Sequence, residues 1–206
     1  MTTTYHNKEY NVLHNGERNG LWISWYDDDH HILESEGYYV NGKRDGEWRY
    51  WYNSENQITR GLFHTLETEE HYVNGKPDGP WRQWYNNDRH TLEAEGYHVD
   101  GEETGLWRKW YNNDKHTLDS EGNYVYGEKT GLWREWYNND QHTLASEGHY
   151  FKGKERGLWR SWYDDDQHTL RTEGHYVNGR RDGHWIEFLG NGIVTFDGDY
   201  EYGVKQ

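Results

Sequence analysis

The chain has no cysteine, which excludes disulfide frameworks and zinc–thiolate centres. It is also short of aliphatic side chains: Leu, Ile, Val and Phe supply only 30 of 206 residues. No run approaches the ~18 apolar residues that a membrane-spanning helix needs. The opening Met1-Thr2-Thr3-Thr4-Tyr5-His6 lacks the apolar stretch of a secretory leader. Cationic residues are scarce, with 22 Lys and Arg against 37 Asp and Glu, for a net charge of −15. That deficit argues against a nucleic-acid partner, because neutralising phosphates takes clustered Lys and Arg. It argues equally against an anionic membrane surface. The balance suits a cytoplasmic chain with a basic protein partner.

Few aliphatics and a high net charge ordinarily describe a disordered chain. What is present reverses that expectation. There are 13 Trp and 19 Tyr, and each aromatic side chain buries roughly 150–250 Å². Trp22, Trp48, Trp81, Trp107, Trp133, Trp159 and Trp185 follow one another at intervals of 26, 33, 26, 26, 26 and 26 residues. A fixed period of this size marks a repeat array. The odd interval holds a seven-residue excess, placed within an insertion at residues 54–63.

The chain therefore reads as one array over residues 1–206. It has a half repeat at 5–16, full repeats starting near 20, 46, 79, 105, 131, 157 and 183, and a half-repeat cap at 193–206. Each repeat reads as two strands. Strand A is Leu-Trp-Arg-x-Trp-Tyr and strand B is Thr-Leu-x-Ser-Glu-Gly-x-Tyr-Val, both rich in residues that favour a pleated surface. Asn-Asn-Asp-x-His joins A to B, and Asn-Gly-Lys-x-x-Gly joins B to the next A. Both links carry turn residues that tolerate positive φ. Short links between adjacent strands imply antiparallel pairing. The expected fold is all-β: an elongated antiparallel meander of tandem ~26-residue two-strand repeats, about 15 strands in all and on the order of 70 Å long.

Within strand B, Leu118, Ser120, Gly122 and Tyr124 share one face, and their equivalents stay apolar or small. That face is expected to be buried, with the glycine leaving room for a ring from the next strand. In strand A the residue between Arg and the second Trp varies (Ser24, Tyr50, Gln83, Lys109, Glu135, Ser161, Glu187). This variation places solvent on the face that it shares with Trp107 and Tyr111, leaving a row of partly exposed aromatics; the opposite assignment stays open.

Val40-Asn41-Gly42-Lys43-Arg44-Asp45-Gly46-Glu47-Trp48-Arg49-Tyr50-Trp51-Tyr52 and Tyr176-Val177-Asn178-Gly179-Arg180-Arg181-Asp182-Gly183-His184-Trp185 carry a resemblance to MORN repeats, in particular to the bacterial antitoxin family named YwqK. The resemblance spans about Tyr10 to Gly203. Two features depart from that pattern: the A-to-B link is longer than an Asn-Gly turn, and a second Trp stands where the pattern has Tyr. The resemblance implies a non-enzymatic binding module that masks a partner protein, as an antitoxin or immunity protein does. Similar arrays in large DNA viruses and protists make a scaffolding role the first alternative, and a carbohydrate-binding protein with aromatic stacking platforms is the second.

No catalytic residue, metal ligand set or cofactor site emerges from the residues. His31, His64, His90, His116, His142 and His168 recur at one loop position, most of them two residues after an Asp. Equivalent residues lie two strands apart, roughly 9.5 Å, too far for metal bonds of about 2 Å. An Asp/His pair bonding the loop backbone is the expected role. The acids Asp27-Asp28-Asp29 and Asp164-Asp165-Asp166 lack the spacing of a calcium loop. The recurrent Arg49, Arg82, Arg108, Arg134 and Arg160 are expected to stack on the neighbouring Trp; an Arg stripe reading an acidic ligand is the other reading. An array whose polar groups repeat offers no convergence of unlike groups for catalysis. The partner is instead expected on the variable surface of the central repeats: Trp81, Gln83, Tyr85, Trp107, Lys109, Tyr111, Trp133, Glu135 and Tyr137, with Glu93, Asp119, Ala145 and Arg171 on strand B.

Overall fold

The computed structural model describes residues 4–5, 8–26, 32–53 and 65–206. The insertion 54–63, the triplet Asp27-Asp28-Asp29, His31 and His64 lie outside the described residues. The chain divides into two compact halves, Met1–Glu102 and Glu103–Gln206. Strands, and no helices, make up the regular structure of the described residues.

The first half opens with a short antiparallel pair, β1 (Thr4–Tyr5) and β2 (Lys8–Glu9). A sheet follows: β3 (Val12–His14), β4 (Glu17–Trp25), β5 (Leu33–Val40), β6 (Lys43–Trp51), β7 (Leu66–Val73), β8 (Lys76–Trp84) and β9 (Leu92–Val99). The second half carries β10 (Glu102–Trp110), β11 (Leu118–Val125), β12 (Glu128–Trp136), β13 (Leu144–Phe151), β14 (Lys154–Trp162), β15 (Leu170–Val177), β16 (Arg180–Phe188), β17 (Val194–Glu201) and β18 (Val204–Lys205). Within each half the strands lie in chain order and pair antiparallel, so the expected all-β meander of two-strand repeats is the fold.

The B-to-A connection is tighter than the sequence reading had it. Only two residues turn, as at Asn41 and Gly42 (φ 49° and 75°) or Asn178 and Gly179 (φ 52° and 79°). Positive φ at both positions makes a type I′ hairpin, whose twist matches that of the flanking strands. The following Lys-x-x-Gly therefore belongs to strand A. Its glycine, at φ 66° in Gly131, sits inside β12 near a slip of register between Glu121 and Asn123 of β11, a glycine bulge. Tyr126 occupies the first turn position at φ 51° although 81% exposed. A β-carbon is strained there, while Asn adopts the left-handed region readily. Tyr126→Asn is therefore expected to stabilise the protein by about 0.5–1 kcal/mol, raising the melting temperature by about 2 °C. A thermal melt with no rise, or a fall, would refute the strain argument.

The A-to-B loops are closed by an Asx cap. Asn113 Oδ1 accepts the Thr117 N–H at 3.2 Å, and Asn113 Nδ2 donates to Thr117 Oγ1 at 2.5 Å. Asn87 and Asp165 accept the Thr91 and Thr169 N–H groups in the same way. The Thr169 N–H bond holds the Asp165 carboxyl below its ordinary pKa. The capping residue stands three places before the histidine rather than two, while the expected histidine bond to backbone is present: His142 and His168 Nε2 lie 3.2 Å from the Leu118 and Leu144 carbonyls. His90, His116, His142 and His168 all take positive φ of 51–53°. Each lays its ring on the second Trp of its own repeat, as for Trp136–His142 at 5.2 Å and Trp162–His168 at 4.9 Å. The recurrent histidine is a lid on the outer tryptophan.

The core is an aromatic ladder along one face. In the second half it runs Trp107, Tyr124, Trp133, Tyr150, Trp159, Tyr176, Trp185, Tyr200, with successive edge-to-face contacts of 5.1–6.1 Å. In the first half it runs Trp22, Tyr39, Trp48, Tyr72. Each such pair adds roughly 0.5–1.5 kcal/mol beyond the area it buries. The expected room for a ring above the strand-B glycine is present: a β-carbon on Gly122 would stand 2.1 Å from Trp133 Cδ2, and one on Gly148 the same distance from Trp159 Cδ2. The indole N–H then donates to a carbonyl ten residues back, Trp133 to Asn123 and Trp185 to His175.

Candidate binding face

The register decides which side chains share the ladder face. Trp107 pairs with Gly122, and Lys109 with Ser120, which in turn pairs with Glu135. Ser146 Oγ donates to Glu135 Oε2 at 3.1 Å. Strand A's variable residue, its first Trp and strand B's small-residue face therefore lie on one side. The sequence reading had given solvent to one set and the core to the other. Both descriptions meet here because an indole lies over Gly37, Gly122, Gly148 and Gly174 while the longer variable side chains stand beside it.

A second variable position emerges on the same face, four residues before each first Trp: Arg18, Arg44, Pro77, Glu103, Lys129, Glu155 and Arg181. Where it is cationic, it covers the ring. Arg44 lies 4.6 Å from Trp48, Lys129 4.0 Å from Trp133 and Arg181 4.2 Å from Trp185, and these three tryptophans are 3%, 6% and 1% exposed. Arg18 lies 4.6 Å from Trp22 at the start of the sheet, where the ring stays half-buried. Where it is Pro or Glu, as before Trp81, Trp107 and Trp159, the ring is half-buried. This column escaped the sequence reading, although its changing charge at a constant offset from Trp was there to be seen.

The opposite face is a charge zipper. Arg108 pairs with Glu121 (3.5 Å), Glu121 with Arg134 (3.8 Å), Arg134 with Glu147 (3.4 Å), and Arg160 with Glu173 (2.5 Å). In the first half the run is Glu36, Arg49, Glu69, Arg82, Glu95. These arginines were expected to stack on tryptophan. They pair with strand-B glutamates instead, because Arg and Glu are directly opposed across the ladder, and the cations over the rings come from four residues upstream. The pairs are half-exposed and each adds no more than about 1 kcal/mol. Ile23 takes the arginine's place in β4, where the Asn11 side-chain amide bonds both its N–H and its carbonyl at 2.8 Å.

Of the residues expected to meet a partner, the second half brings Trp107, Lys109, Trp133 and Glu135 together on the ladder face. Lys109 and Glu135 are exposed, Trp107 is half-buried and Trp133 is buried. Trp81, Gln83 and Tyr85 hold the equivalent places in the first half, all half-buried. Tyr111 and Tyr137 donate their hydroxyls to the Trp136 and Trp162 carbonyls of the next repeat at 2.7 and 2.8 Å, so their polar ends tie repeat to repeat. Glu93, Asp119, Ala145 and Arg171 each fall at the register slip before the second Trp of strand A. Asp164 and Asp166 accept bonds from Asn139 and Gln141 of the preceding loop.

No helix among the described residues is long and apolar enough to cross a membrane. Comparison with protein-family models gives no match, and comparison with curated proteins gives none. Among solved structures the chain is similar to a Bacteroides fragilis protein of unknown function, at 8% identity over 92% of this chain and 96% of that one, with a TM-score of 0.15. A likeness this slight carries no weight about function.

Proposed function

We propose that the chain is a MORN-type, non-enzymatic repeat module of the cytoplasm that binds a basic protein through its ladder face, in the manner of an antitoxin or immunity protein. The observation that carries this reading is the division of labour between the two faces. The zipper face repeats the same Arg and Glu and neutralises itself. The ladder face holds both variable columns beside half-buried rings, so what distinguishes one repeat from the next is displayed there. Repeat arrays bind along one extended surface, and aromatic anchors dominate interface energetics. The net charge of −15 favours a basic protein by steering and complementarity and disfavours nucleic acid and anionic membranes.

The test is affinity capture from the native host with three baits: wild type, Lys109→Ala/Glu135→Ala, and a loop variant with Asp164, Asp165 and Asp166 changed to Asn. A protein retained by wild type and the loop variant, and lost from the ladder-face variant, is the expected result. The melting temperature of that variant should stay within about 2 °C of wild type, since both residues are exposed. Capture abolished by the loop variant alone would move binding to the loops and overturn the reading.

A further inference from the structure

The ladder face contains two grooves built on one plan. In the first half, a groove of about 440 Å³ is lined by Trp22, Ser24, Ser35, Tyr39, Arg44 and Trp48. In the second half, a groove of about 310 Å³ is lined by their repeat equivalents Trp159, Ser161, Thr172, Tyr176, Arg181 and Trp185. Each opens where the variable strand-A residue is serine, hydrogen-bonded at 2.7 Å to a strand-B hydroxyl, Ser24 to Ser35 and Ser161 to Thr172. Other repeats fill this place with Gln83, Lys109 or Glu135.

The grooves differ in charge. In the second, Arg181 is neutralised by Glu187 at 2.6 Å, and Glu155 stands four residues before Trp159. In the first, Tyr50 replaces that glutamate and Arg18 replaces Glu155. Arg18 Nη1 donates to Tyr39 Oη at 3.0 Å, and Arg44 Nη1 donates to Tyr72 Oη at 3.0 Å. Neither guanidinium has a carboxylate partner among the described residues. Glu34 is the one acid among the described residues that lines this groove. The buried Trp22 Nε1 also has no hydrogen-bond partner there, whereas Trp48, Trp133, Trp159 and Trp185 all donate to backbone carbonyls.

We propose that the first-half groove binds a carboxylate-bearing ligand of monosaccharide size, a hexuronic acid. Two guanidiniums suit a carboxylate, the half-buried rings of Trp22 and Tyr50 suit the C–H face of a pyranose ring, and the serine hydroxyls suit its hydroxyls. Bare phosphate would leave the aromatic walls unused. The volume lies in the range of small-molecule sites. This inference stands on the groove alone and does not depend on protein binding by the central repeats.

The experiment titrates the full chain with D-glucuronate, D-glucose and inorganic phosphate, following the indole N–H resonances by NMR. Glucuronate is expected to shift the Trp22 resonance and to bind about tenfold more tightly than glucose. Arg18→Ala, an exposed position, should weaken it by a similar factor with unchanged circular dichroism. The paired variant Glu155→Arg/Glu187→Tyr should create a second site, read at Trp159 and Trp185. No shift with millimolar glucuronate, equal binding of glucose, phosphate binding as tightly as glucuronate, or wild-type affinity in Arg18→Ala would each overturn the proposal. Lys109→Ala/Glu135→Ala, which lie outside the groove, should leave glucuronate binding unchanged, which separates the two functions.

Discussion

Trp133→Ala is expected to destabilise the second half by about 3–5 kcal/mol, the cost of emptying a large buried aromatic site. Trp133 is 6% exposed. It touches Tyr124 and Tyr150 edge-on at 5.1 and 6.1 Å, lies flat over Gly122, is covered by Lys129 and donates to the Asn123 carbonyl. Truncation removes all of these contacts and strands the Lys129 ammonium over a void. Collapse is a poor remedy, because both flanking tyrosines are held by their next tryptophan. Trp159→Ala should cost less, since that ring has Glu155 rather than a cation four residues before it and is half-buried. Urea unfolding, followed by circular dichroism and tryptophan fluorescence, measures both. Equal losses for the two, or a loss below about 1.5 kcal/mol for Trp133→Ala, would show that the ladder is not the core.

Gly122→Ala is expected to cost about 3 kcal/mol, the upper end of the overpacking range, although it adds a single methyl group. The position has no positive φ, so the backbone accepts alanine. The penalty comes from the 2.1 Å approach of the new β-carbon to Trp133 Cδ2, which forces the indole off its seat and breaks its contacts with both tyrosines. The two substitutions should therefore be strongly non-additive. In a Trp133→Ala background the ring is absent, and Gly122→Ala should cost almost nothing. The expected coupling is about 2 kcal/mol or more, at the high end for residues in direct contact. Additive losses would mean that the glycine is required by the backbone rather than by the ring.

Much of this architecture was readable because it repeats. The Trp period, the two-strand rhythm and the turn residues named an all-β meander without any knowledge of packing. The alternation Leu118, Ser120, Gly122, Tyr124 marked the buried side of strand B, and its glycine announced a ring. Repetition also hid things. The six recurrent histidines and five recurrent arginines looked alike in composition to metal or ligand groups, and only geometry assigned the described ones to stacking lids and to a charge zipper.

Local chemistry thus determined the elements, since turn type and strand propensity depend on a few adjacent residues and survive in any single repeat. Which side chains met across the sheet was decided by register, and register here includes a glycine bulge in strand A and a second slip before its second Trp. A shift of one residue changes the face of every side chain beyond it. That is why the Arg–Glu zipper and the paired serine grooves appear only in the folded sheet. Both depend on contacts between residues 11–20 positions apart, brought together by two slips that composition and spacing alone do not reveal.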